Sequence, residues 1–119
     1  MIKGTGIDIC EIERIQELRS SHPKFVKRIL TTREIDRFEK IKSDRRRAEY
    51  LAGRFAAKEA YAKAVGCGIG KQLSFHSLEI ISDENGKPFL FENGEKQKGA
   101  HVSISHSRAF AVAQVIIEN

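Results

Sequence analysis

Apolar and polar positions change rhythm along this chain, and each change predicts a new element. Residues 2–10, "IKGTGIDIC", alternate around the β-branched Ile7 and Ile9 and predict a strand. "EIERIQELRSS" (11–21) then spaces Ile12, Ile15 and Leu18 three apart, so a short helix begins there. "HPKFVKRIL" (22–30) stays helical, with Phe25, Ile29 and Leu30 on one side and Pro23 tolerated in the first turn. "TTREIDRFEKI" (31–41) opens with Thr32 as N-cap and sets Ile35, Phe38 and Ile41 along one face. "KSDRRR" (42–47) reads as a basic loop. A long helix follows from about Ala48 to Val65, with Gly66 as its C-cap.

The remainder reads as β structure. "LEIISDENGKPFLF" (78–91) carries Asn85-Gly86 between two apolar runs, a hairpin signal, and Asn93-Gly94 is a further turn. "HVSISHS" (101–107) alternates, with Val102, Ile104 and His106 on one face and Ser103, Ser105 and Ser107 on the other. "FAVAQVII" (110–117) is apolar and pairs with it across 107–109. One early strand, a helical middle and antiparallel strands afterward make an α+β fold in a single domain over 1–119.

Composition narrows the function classes. A chain of 119 residues with 40% hydrophobic and 31% charged residues is an ordinary globular one. It holds no apolar run near the roughly 20 residues that a membrane span needs, and its N-terminus lacks a signal-peptide pattern. Cys10 and Cys67 form no framework, so both are expected as reduced thiols in the cytoplasm. The net charge of +5 favours an anionic partner.

Two carboxylates stand out of place. Six of the sixteen residues from Leu51 to Gly66 are alanine and one, Glu59, is acidic. At 100° per residue Glu59 falls between Phe55 and Ala52, beside Ala48, Ala56 and Ala62, on no solvated stripe. Burying a lone carboxylate is costly unless it is paired or holds a metal. One reading is an i,i+4 pair with Lys63, worth about 0.2–0.5 kcal/mol. The other is a site carboxylate with a phosphate-binding lysine one turn on. Asp8 sits mid-strand on a face with Gly4, Gly6 and Cys10, either at a wet edge or where a ligand approaches. Taken together, the two carboxylates suggest a shared cation. Mg²⁺ fits, since it takes one or two protein carboxylates and completes its shell with water and phosphate.

Other features divide in the same way. "GCGIG" (66–70) follows a helix, so it is no dinucleotide fingerprint. Arg45, Arg46 and Arg47 are a solvated run or a grip on phosphate. His101 and His106 face opposite sides of their strand and cannot share a metal, and "SISHS" lacks the elbow glycines of a hydrolase. His22 and His76 read as surface residues.

"GIDICEIER" (6–14), "LAGRFAAKEAYAKAVGCGIG" (51–70), "NGKP" (85–88) and "HVSISHS" together resemble the holo-[acyl-carrier-protein] synthase family of small bacterial 4′-phosphopantetheinyl transferases. The resemblance covers nearly the whole chain in order. It implies an antiparallel sheet with a long helix packed on it. It also implies transfer of 4′-phosphopantetheine from coenzyme A to a serine of apo-acyl-carrier protein, releasing adenosine 3′,5′-bisphosphate, in support of fatty acid biosynthesis. Asp8 and Glu59 match the family's Mg²⁺ ligands, and Lys63 would meet the phosphates. Glu59 or a metal-bound water is the candidate base, and His106 would line the site. Arg54, Gly86 and Pro88 would contact coenzyme A. Arg14 and Phe25 would dock the carrier, with Arg19, Lys24 and Arg28 extending that surface. The family's trimeric assembly implies active sites between subunits. Two rivals stand beside this reading: a basic nucleic-acid-binding module, opposed by few and uninterleaved aromatics, and a non-catalytic coenzyme A or nucleotide sensor. Magnesium-dependent modification of a carrier serine separates the enzyme from both.

Overall fold

The computed structural model of the chain describes residues 1–70 and 72–119. Its elements run β1 (Ile2–Glu11), α1 (Ile12–Ser21), α2 (Phe25–Ile29), α3 (Thr32–Glu39) and α4 (Asp44–Val65), then a 3₁₀ turn at Phe75–Ser77. Strands β2 (Leu78–Ser82), β3 (Pro88–Glu92), β4 (Glu95–Lys96), β5 (Ala100–His106) and β6 (Phe110–Glu118) complete it. The strands form two antiparallel three-stranded sheets, ordered β1-β6-β5 and β2-β3-β4. The expected α+β class and the long helix on antiparallel sheet are both present.

The central strand of the first sheet explains how α4 lies on it. Register places Gly6, Val115 and Val102 in one inward row, Asp8, Ala113 and Ile104 in the next, and Cys10, Ala111 and His106 in the third. Ala111, Ala113 and Val115 are fully buried against the alanine-rich helix. Strand β1 comes closer still. A Cβ on Gly6 would lie 1.9 Å from the Ala60 carbonyl oxygen, and one on Gly4 2.2 Å from that of Ala64. Only glycine permits this backbone-to-backbone crossing. It draws the inward face of β1, Asp8 included, onto the last turns of α4.

The second region of the core is held by a buried ion pair. Lys58 and Glu34 are both fully buried, with Nζ 2.6 Å from Oε1. The ammonium also donates to the carbonyls of Ile29 at 2.7 Å and Phe75 at 3.0 Å, using all three of its donors. Glu34 accepts from the backbone N–H groups of Thr31 at 2.9 Å and Ile80 at 2.7 Å. One charge pair thus joins α2, α3, α4, the 3₁₀ turn and β2.

Several boundaries differ from the sequence reading. The N-cap of α3 is Thr31, not Thr32, because Thr31 and Glu34 form a reciprocal capping box. Pro23 lies in the turn between α1 and α2 rather than in a first helical turn. The expected basic loop at 42–47 is instead the start of α4. Ser43 caps it by accepting from the Arg46 N–H, and Asp44 in the first turn offsets the arginines. Arg47 turns back to donate to the carbonyls of Ile41 at 2.6 Å and Glu39 at 2.9 Å. The β2–β3 hairpin closes through a longer loop than a bare Asn-Gly turn, since Asp83 Oδ1 accepts from both Asn85 and Lys87 at 2.9 Å. Asn93-Gly94 does make a tight turn, with φ of 50° and 84°.

Candidate active site

Helix α4 has a cleft on each flank, and the residues singled out from sequence divide between them. On the β1 side a cleft of about 340 Å³ is lined by Asp8, Cys10, Arg14, Phe55, Glu59 and Phe110, among others. On the β5 side a cleft of about 330 Å³ is lined by Arg46, Glu49, Tyr50, Arg54, Ser82, Gly86, Pro88 and His106 with Ile41 and Ile104. Both volumes reach the lower range of small-molecule sites.

Asp8 and Glu59 meet because the glycine crossing of β1 sets them side by side. Lys63 joins them, but not as the i,i+4 partner of Glu59. Its ammonium donates to Asp8 Oδ1 and to the Ile7 carbonyl, both at 3.0 Å. The reason is geometric: β1 passes directly over the last turns of α4, and the strand offers a carboxylate and a carbonyl together. Among the described residues no ion pair reaches Glu59 within 4.0 Å. Burial and then the Asp8 charge push the Glu59 carboxyl above its ordinary range, with Lys63 pulling the other way. Beside them the Cys10 thiol is pushed up to about 11, first by burial and then by Asp8, so it is a poor nucleophile.

These carboxylates suit a divalent cation. Asp8, Glu11 and Glu59 line the cleft against Arg14 and the half-exposed Lys63 bonded to Asp8, three acids to two cations, which leaves net negative charge at a partly dry site. Among the described residues no group of three or more His, Cys, Asp and Glu could hold a metal. A hard cation that keeps several waters needs no third protein ligand, whereas a structural zinc would.

The β5-side cleft has the opposite character. Arg54 is largely buried, its guanidinium 4.1 Å from the centre of the Tyr50 ring and its Nη2 3.1 Å from Ser82 Oγ. Its Nε is buried and has no partner among the described residues. Gly86 holds φ of 84° in the β2–β3 turn, and Pro88 opens β3. His106 ends β5, with Nδ1 3.6 Å from Glu49 Oε2. His101 lies on the other face, 2.5 Å from Glu118 Oε1. Arg46 lines this cleft, while Arg45 and Arg47 bond backbone carbonyls. Tyr50, Glu49 and Ser82 were not singled out from sequence. Glu49 carried a signal, four residues after Arg45 on a continuous helix, had the basic run been read as helical.

The docking residues take different positions. Arg14 is exposed on α1 at the rim of the β1-side cleft. Phe25, at the start of α2, is half-buried against the Ile12–Leu51 cluster. Beyond both clefts, the outer face of β1 leaves Ile7 and Ile9 each 60% exposed. No helix is long and apolar enough to cross a membrane among the described residues.

Known proteins resemble this chain in sequence and in fold. The profile of the 4′-phosphopantetheinyl transferase superfamily matches residues 4–115. The holo-[acyl-carrier-protein] synthase of Geobacillus sp. (strain WCH70) is 58% identical over 118 residues, spanning 99% of this chain and 98% of its own. A crystal structure of the Bacillus anthracis holo-(acyl-carrier-protein) synthase in complex with CoA (3′,5′-ADP) superposes with a TM-score of 0.90 at 50% identity, covering 100% of this chain and 98% of that one. The Helicobacter pylori synthase in complex with coenzyme A gives a TM-score of 0.81 at 34% identity, over 96% of this chain and 99% of that one.

Proposed function

The chain belongs to the 4′-phosphopantetheinyl transferase superfamily, among the holo-[acyl-carrier-protein] synthases, and we propose that it moves 4′-phosphopantetheine from coenzyme A to a serine of apo-acyl-carrier protein in a magnesium-dependent reaction. The observation that carries this reading is the meeting of Asp8 and Glu59 in one cleft, with Lys63 bonded to Asp8. The serine Oγ attacks the phosphorus nearest the pantetheine arm. The bond to the adenylate-side oxygen breaks, and adenosine 3′,5′-bisphosphate leaves. Mg²⁺ held by Asp8 and Glu59 would supply charge neutralisation at the pyrophosphate. Lys63 exchanges Asp8 for a phosphate oxygen as substrate arrives. Glu59 or a metal-bound water would receive the serine proton.

The β5-side cleft is the natural seat for the adenosine end. Arg54 offers an unpartnered donor, Arg46 and His106 add polar contacts, and Gly86 and Pro88 supply a flat wall without side-chain bulk. Within one chain α4 separates this cleft from the carboxylates. Subunits that bring one copy's carboxylates to another copy's arginines would join them, and the exposed Ile7 and Ile9 support such a homotrimer. Arg14 and Phe25 would dock the acidic carrier beside the β1-side cleft. The free Cys10 and Cys67 suit a reducing cytoplasm, and the product would serve fatty acid biosynthesis.

The test is the mass of apo-carrier protein incubated with coenzyme A and the chain, with Mg²⁺ or with chelator. A gain of one phosphopantetheine on serine, lost with chelator, is expected. An unmodified carrier in both would leave the nucleotide sensor as the better reading.

A further inference from the structure

The β5-side cleft contains one acid among its lining residues, and the transfer chemistry gives that acid no role. Glu49 lies on α4 with its side chain 19% exposed, beside Arg46, Arg54 and His106. A bare carboxylate would repel any phosphate that those cations attract. Its Oε2 is turned elsewhere. It accepts from Arg45 Nε at 3.1 Å and stands 3.6 Å from His106 Nδ1. The same Arg45 donates through Nη2 to the Ser107 carbonyl at 3.4 Å and to the Arg108 carbonyl. Those carbonyls form the turn that directly follows His106. One guanidinium therefore ties the first turns of α4, the Glu49 carboxylate and the β5–β6 turn into a unit that frames the imidazole.

From this geometry we infer that Glu49 is a positioning residue for His106, holding the ring with its proton on Nδ1 and presenting Nε2 to the cleft. The 3.6 Å approach is too long for a direct hydrogen bond but short enough for the carboxylate to choose which nitrogen carries the proton. Contacts of this kind close as a substrate fills the site. Arg45 keeps Glu49 from swinging into the cleft, where it would oppose an anion. The other charged side chains that line the cleft with the ring, Arg46 and Arg54 on α4, are cations, so Glu49 is the charged group there that can accept from Nδ1. Carboxylate partners of functional histidines fix tautomer and orientation in this way. The consequence for coenzyme A rests on the proposed seating of its adenosine end in this cleft.

Imidazole ¹H–¹⁵N spectra at pH 8 test the positioning directly, with the His106 signal identified by its loss in His106→Ala. The wild-type ring is expected as the Nδ1–H tautomer. Glu49→Leu should move it to the Nε2–H form, and Glu49→Gln, which still accepts from Nδ1, should retain it. Glu49→Ala is the second variant should the leucine chain fail to fold. Kinetics follow the coupling: Glu49→Leu should raise the coenzyme A KM about 10-fold, yet add less than about 2-fold in a His106→Ala background. An unchanged tautomer, or a full 10-fold effect without His106, overturns the inference. A changed tautomer with no effect of His106→Ala on KM leaves Glu49 as the positioner and overturns the placing of coenzyme A in this cleft.

Discussion

Lys58 and Glu59 are neighbours on α4, and each brings a charge against the protein interior. Lys58 is wholly buried, and every donor on its ammonium has a partner: Glu34, the Ile29 carbonyl and the Phe75 carbonyl. Glu59 has no such set. It faces Asp8, a like charge, and Lys63, one helical turn on, has turned to that aspartate instead. One helix thus carries a completed polar cluster on one side and an incomplete one on the other. A completed cluster fixes the fold. An incomplete one is stable only at a cost, and that cost is recovered when a ligand brings the missing positive charge.

Breaking the completed side should give the largest effect. Lys58→Ala strands Glu34 in a dry core and is expected to cost about 3–5 kcal/mol, read as a lower midpoint in urea unfolding. Glu34→Leu combined with Lys58→Met should recover only part of that loss: no unpaired charge remains, but the Ile29 and Phe75 carbonyls and the Thr31 and Ile80 N–H groups lose their partners. A single variant of near-normal stability would mean that water or another group satisfies Glu34.

On the incomplete side, the loss should fall on turnover rather than folding. Asp8→Ala and Glu59→Ala are each expected to lower kcat by about 10²–10³-fold with unfolding midpoints close to wild type. Near-normal turnover in either would remove that residue from the metal site. Lys63→Ala should be milder, raising the coenzyme A KM about 10-fold through loss of one point charge on phosphate. An unchanged KM would make its contact with Asp8 purely structural.

The same contrast accounts for what was legible in the sequence. Glu59 stood out because helical periodicity places it among alanines, and Asp8 because its strand face is otherwise small. Both are local signals, and the structure brings the two residues into one cleft. The partner of Lys63 was not legible: Asp8 lies 55 residues away, and only the crossing of β1 over α4 brings them together. The burial of Glu34 was not legible either, since nothing local announces that Lys58 will reach it across 24 residues. The division of His106 from Asp8 follows from β6 standing between β5 and β1, and that of Gly86 and Pro88 from their place in the second sheet, neither of which strand-by-strand periodicity encodes. Arg45–Arg47 misled because cations at a helix start are unfavourable; Ser43 and Asp44 override them.

The smallest expected effect bears most directly on the idea of an incomplete cluster. Burial and Asp8 raise the Glu59 carboxyl above its unfolded value, so the folded chain holds its proton more tightly than the unfolded chain does. As pH rises from the ordinary glutamate value near 4.5, the unfolded state releases this proton first. Stability contributed at this position therefore falls through that window and stays lower at neutral pH. Glu59→Gln removes the titration. In magnesium-free buffer at pH 7 it should be more stable than wild type by less than about 1 kcal/mol, since the group is partly exposed and screened. The advantage should vanish below the ordinary glutamate range, where wild-type Glu59 is also neutral. Magnesium added with coenzyme A should reverse the ranking, stabilising wild type more than the variant. Urea midpoints across pH, with and without these ligands, would show it. A glutamine variant no more stable than wild type at neutral pH would mean that Glu59 is already satisfied, and that its contrast with Lys58 is one of degree.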